Sequence, residues 1–216
     1  MKKLTLGFAL LFFSLLSFAQ TNTYDKVMAE KIAKMEGTHS MEDYTALSND
    51  FLRIADKEQN KWLPYYYAAL TTVQKGRMQM TSGKTDELDQ IADNAQKNLD
   101  KSIELGGLNS ENLILKKMIH SLRMMVNPMT RFMTEGAAAM EALAKAEGLD
   151  PDNPRISLLR GEDTYFTPEQ FGGSKEKGRE LVEKAVKQFE SYKPESSLHP
   201  NWGREEAKYM LEQVMK

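Results

Sequence analysis

The chain of 216 residues contains no cysteine. That absence excludes disulfides, zinc–thiolate sites and cysteine nucleophiles, and with them the lipid attachment of a bacterial lipoprotein. Histidine is scarce: His39, His120 and His199 stand far apart in sequence and in three different contexts. There is no HExxH, no GxSxG, no phosphate-cradling P-loop and no GxGxxG, so no catalytic or cofactor-binding motif is present and no catalytic residue is assigned. Charge of one sign is also lacking. The formal net charge of −2, with both signs interspersed, argues against nucleic acid or an anionic membrane as the main partner. No segment alternates apolar and polar residues for long enough to make a strand.

One long apolar run exists, at the start. MKKLTLGFALLFFSLLSFAQ has a positive Lys2-Lys3 region, the apolar stretch Leu4–Leu16 and the small residues Ser17 and Ala19 around a cleavage point. The expectation is a secretory signal over residues 1–19, cut after Ala19, since the run is short for a membrane span. The rest, 20–216, reads as one exported domain, periplasmic or secreted, with no membrane anchor after cleavage.

From there the pattern is helical throughout. Tyr44, Leu47, Phe51 and Ile54 fall on one face of a helix over Met41–Lys57. Further helices are expected over Trp62–Arg77, Asp86–Leu105, Ser110–Val126, Thr130–Glu147, Pro154–Phe166, Lys175–Tyr192 and Asn201–Met215. Met78–Thr85 and TPEQFGGS (Thr167–Ser174) read as loops. Gly148 is expected to end its helix, and Asn153 to cap the next with Pro154 in its first turn.

The stretch Ala137–Tyr165 carries a resemblance. Ala139, Leu143, Ala146 and Pro151 fall where tetratricopeptide repeats place small, bulky, small and proline residues, and Gly161 matches the small residue of the following helix A. Ala69, Ala95 with Leu99, and Ala185 with Phe189 match the same positions elsewhere. The chain resembles the divergent tetratricopeptide-like proteins of bacterial envelopes over roughly Met41–Tyr192, with loops longer than a regular array allows. The resemblance implies an all-α right-handed superhelix of stacked antiparallel hairpins, closed by a capping helix over residues 201–215. It also implies a concave helix-A groove for a protein or peptide partner, with Tyr66, Leu70 and Val73 on its wall and Tyr65 in the core. The reading is a non-catalytic scaffold without cofactor or metal.

Two alternatives come from the residues themselves. Met118, Met124, Met125, Met129, Met133 and Met140 crowd one hairpin with His120, and Met78 and Met80 form a second pair. Thioethers select Cu(I), whereas methionine also fills gaps between helices and softens binding surfaces. An envelope-polymer enzyme would need a carboxylate pair drawn from Glu162, Asp163, Glu169 and Glu190. Nothing in the sequence marks two of them as partners, and Asp150 and Asp152 lack the spacing of a calcium loop.

Overall fold

The computed structural model describes residues 23–215; the expected signal segment lies outside them. Helix α1 occupies residues 23–36, followed by α2 (Met41–Glu58), α3 (Trp62–Thr81), α4 (Leu88–Gly106) and α5 (Ser110–Val126). A single turn, α6 (Pro128–Arg131), runs through a π turn (Phe132–Gly136) into α7 (Ala137–Leu149). Then come α8 (Pro154–Phe166), a 3-10 turn (Glu169–Phe171), α9 (Lys175–Ser191), α10 (Arg204–Tyr209) and a second π turn (Met210–Val214). The described residues are all-α, with no strand among them.

Helices that follow one another pack together: α2 on α3, α3 on α4, α4 on α5, α5 on α7 and α8 on α9. In α4 this follows from a stripe of Leu88, Ile91, Ala92, Ala95 and Leu99, all buried at helical spacing. Helix α3 touches α2, α4 and α5 and is buried nearly all round, from Leu63 to Val73 and again at Gly76 and Gln79. A second, smaller core of Leu158, Val182, Ala185, Phe189, Ala207 and Met210 holds α8, α9 and α10 together.

The residues matched to repeat positions are placed as follows. Ala69, Ala95, Leu99, Ala139, Leu143, Ala146, Ala185 and Phe189 are buried, and Pro151 lies exposed in the α7–α8 turn. Gly161 is a point of close approach between α8 and α9. A Cβ there would stand 2.6 Å from Val182 Cγ2 and 3.0 Å from the carbonyl oxygen of Gly178. Any side chain would force the two helices apart.

Several boundaries differ from expectation. Gly148 is helical; α7 ends at Asp150 (φ −148°, ψ 84°), because the residue before a proline is driven out of the helical region by the ring that follows. Helix α3 runs on to Thr81, since Gln79 is buried and gives that turn a packed face, so Met78 and Met80 are helical. The helix expected over Thr130–Glu147 is interrupted by the π turn. The closing helix starts only at Arg204, after Gly203 at φ 103°, and ends in a π turn.

One buried charge network ties distant parts together. Arg155, whose side chain has no exposed surface, pairs with Glu111 and donates to Tyr192 Oη at 2.8 Å. Glu111 also accepts from Asn153 Nδ2 at 2.6 Å and from Tyr66 Oη at 3.2 Å. Trp202 Nε1 in turn donates to Tyr66 Oη at 2.9 Å. The rings of Tyr192 and Trp202 lie 4.8 and 5.7 Å from the guanidinium, close enough for cation–π attraction. Burial of the Tyr66 hydroxyl beside Glu111 pushes its pKa well up, so it stays a donor.

Candidate functional site

The face of α3 expected to line an open groove is covered. Tyr66, Leu70 and Val73 have no exposed surface, while Tyr65, expected in the core, is partly exposed. At Tyr66 the cover is the chain's own C-terminal segment: residues 192–203 return to α3, where Tyr67 Oη donates to the Leu198 carbonyl at 2.9 Å and Trp202 reaches Tyr66, while Leu70 and Val73 are buried in the main core. His199 stacks edge-on to Trp62, with 5.6 Å between centroids. Periodicity within α3 could place these residues on one face but could not show that a segment more than 120 positions later lies against them.

The carboxylate candidates separate. Glu169 and Glu190 are exposed on different elements, and Asp163 is held by Lys117 Nζ at 2.8 Å. Glu162 does find a carboxylate partner, Glu206, which sequence reasoning missed because it lies on α10. Arg77 Nη2 sits between them, 3.1 Å from Glu162 Oε1 and 2.7 Å from Glu206 Oε1. Burial pushes the Glu162 carboxyl up to about 7, against the pull of Arg77. Burial also opposes the charge on Glu206, but Arg77 outweighs it and holds that carboxyl below the usual range. The arrangement clamps α3, α8 and α10 and carries a pH signature. A carboxyl raised in the folded state stabilises most below its unfolded pKa, and that stabilisation is lost as pH rises through the folded value. Glu162→Gln, neutral at every pH, should therefore gain stability relative to wild type between about pH 5 and pH 8. Urea midpoints measured at both pH values test this; parallel pH curves for the two proteins would overturn it.

The methionine-rich hairpin also divides. Met118 is core and Met125 packs against it, whereas Met78 and Met80 stand two residues apart on one helix, pointing to different sides. Met129, Met133 and Met140 are exposed, at 84%, 79% and 57%, together with Phe132. Met129, Phe132 and Met133 are neighbours at i, i+3 and i+4. The π turn that carries Phe132 and Met133 packs on α5 and brings Gly136 so close that a Cβ there would be 3.1 Å from Met124 Sδ and 3.4 Å from Phe132. Arg131 anchors the segment, with Nη1 2.6 Å and Nη2 2.9 Å from the Asp89 carboxylate on α4. One helical turn before Met124, His120 Nδ1 lies 2.7 Å from Glu135 Oε2 of the same π turn. The crowding was legible in sequence; the pairing of His120 with Glu135 was not, because the π turn that aims Glu135 has no sequence signature.

An open cleft of about 640 Å³ lies between α2, the end of α3 and the turn after it. Its lining mixes Lys75 and Lys84 with Glu42, Asp86 and Glu87, beside the apolar side chains of Met41 and Ala46. Among the described residues, no three His, Asp or Glu side chains group to hold a bare metal ion, and no helix is long and apolar enough to cross a membrane.

No protein-family model matches the chain, and no curated protein matches it. Among solved structures it is similar to the HusA haemophore from Porphyromonas gingivalis, with a TM-score of 0.76 and 33% sequence identity. The match covers 87% of this chain and 90% of that one. Identity at that level over nearly the whole of both chains makes the chain a member of the HusA haemophore family.

Proposed function

We propose that this protein is an exported, non-catalytic carrier of the haemophore type, and that its cargo is haem. The observation that supports this most is the likeness to HusA, whose name says that it is a haemophore and which matches over 90% of its length. The helical stack is read as a divergent tetratricopeptide-like array whose helix-A groove is filled by residues 192–203. Binding is thereby moved away from Tyr66, Leu70 and Val73 to a face that is still open.

The exposed face of Met129, Phe132, Met133 and Met140 suits a porphyrin. A tetrapyrrole is a broad apolar plane, and the hydrophobic effect gains roughly 25 cal/mol for each Å² removed from water. Unbranched thioethers adapt to such a plane, and a phenyl ring stacks on it. The protein's part is to hold and shield the cargo.

Ferric haem titrated into the protein, followed by Soret absorbance and quenching of intrinsic fluorescence, should saturate at one equivalent. Replacing Met129, Phe132 and Met133 together by serine should weaken binding by about tenfold or more, equivalent to at least about 1.4 kcal/mol of lost contact. A wild-type titration that never saturates would overturn the proposal.

A further inference from the structure

We infer that the cleft between α2 and the end of α3 is a binding site for short peptides with free ends, held by their opposite terminal charges. The inference is independent of the haem reading, since the methionine-rich face lies elsewhere, on the α5–α7 hairpin. Five charged residues line the cleft: Lys75 and Lys84, with Glu42, Asp86 and Glu87. Among the described residues none of the five side chains has an ion pair or a hydrogen bond, although opposite signs line the same space. Other charges on the same helices are matched. Asp50 of α2 pairs with Lys31, Arg77 of α3 with Glu162 and Glu206, and Asp89 of α4 with Arg131. Unpaired cations and carboxylates around one cleft are complementary to a ligand that carries both charges.

A buried amide says what lies between those charges. Gln79 is only 5% exposed, and its side-chain amide bonds to no protein group among the described residues. The cleft that it lines is the opening left to it. Buried polar groups are ordinarily hydrogen-bonded, and a carboxamide offers both an acceptor oxygen and N–H donors. A peptide group presents the matching N–H and C=O. The backbone of the same residue shapes the mouth of the cleft. Its carbonyl accepts from the backbone N–H of Ser82 at 3.1 Å and of Lys84 at 3.3 Å. That turn, with Gly83 at φ 77°, carries Lys84 to the rim. Met41 and Ala46 supply an apolar wall for a peptide side chain. The volume of about 640 Å³ falls within the range of about 300–1,000 Å³ usual for small-ligand sites.

The test titrates the protein with alanylleucine, its N-acetylated form, its C-amidated form and free leucine, followed by backbone amide chemical shifts and calorimetry. Alanylleucine should saturate and move the amides around Lys75, Gln79 and Lys84. Blocking either end should weaken binding by about tenfold or more, the usual effect of losing a hydrogen bond to a charged group. Free leucine, which has no peptide group for Gln79, should bind more weakly than the dipeptide. Lys75→Gln with Lys84→Gln should erase the advantage of alanylleucine over its amidated form and leave haem binding at the wild-type level. Gln79→Met, similar in length but without N–H or C=O, should weaken the dipeptide and leave free leucine unchanged. Should that variant not fold, the lysine pair decides the question. No saturation at millimolar peptide, shifts confined to other parts of the protein, or equal affinity for all four probes would overturn the inference. Loss of haem rather than peptide in the lysine variant would also overturn it, since the cleft would then serve the porphyrin.

Discussion

Glu111→Ala is expected to lower the free energy of unfolding by about 3–5 kcal/mol, the usual cost of leaving a buried charge without its partner. The charge is Arg155, fully buried and paired with Glu111. Tyr192 Oη and two aromatic rings would remain around it, but among the described residues no other anion is bonded to it. The same change strips the acceptor from Asn153 Nδ2 and Tyr66 Oη, and unsatisfied buried donors add to the penalty. Glu111→Gln keeps one acceptor and should lose less. The double replacement Glu111→Leu with Arg155→Met, which removes both charges, should be far less damaging than Glu111→Ala, because the desolvation cost of the pair disappears with it. Urea denaturation of the four proteins measures the effect. An alanine variant with the wild-type midpoint would mean that the network is not formed in solution.

Trp202→Ala is expected to cost about 3–5 kcal/mol, as large aromatic truncations in a core do. Trp202 is 8% exposed although it lies between two elements rather than in a helix. Its indole fills the space over Tyr66, donates to Tyr66 Oη and lies against Arg155. Because Trp202 and Glu111 both bond Tyr66, their losses should not add. A double-mutant cycle should show an interaction of about 0.5–3 kcal/mol, where independent sites would agree to within a few tenths. If instead Trp202→Ala leaves stability unchanged, the 192–203 segment does not close the groove, and Tyr66, Leu70 and Val73 return as binding candidates.

Much of the architecture was legible in the residues. Periodicity located the helices, Ser110–Val126 and Pro154–Phe166 to the residue, since an amphipathic stripe is a local pattern complete within a few turns. Ser40 and Asn153 cap as their side chains suggest, because a cap bonds two or three residues ahead. The crowding of methionines around His120 was equally plain. One boundary moved because two short-range signals compete: at Asp150 the following proline outweighed the preceding glycine.

What the sequence by itself determined about this protein is therefore its class: helices, their caps, and a chain without disulfides or catalytic motifs. Only the tertiary structure decided which faces are open. Tyr66 and Trp202 are 136 positions apart, Arg77 and Glu206 are 129, and His120 meets Glu135 across a π turn. Each contact depends on how every intervening helix is packed, and no window of sequence contains that sum. The same residues that form a groove wall when α3 is read alone are core once the neighbouring helices and, at Tyr66, the C-terminal segment pack on them. The open surface passes to the methionine-rich hairpin, where exposure depends on what the rest of the chain leaves uncovered.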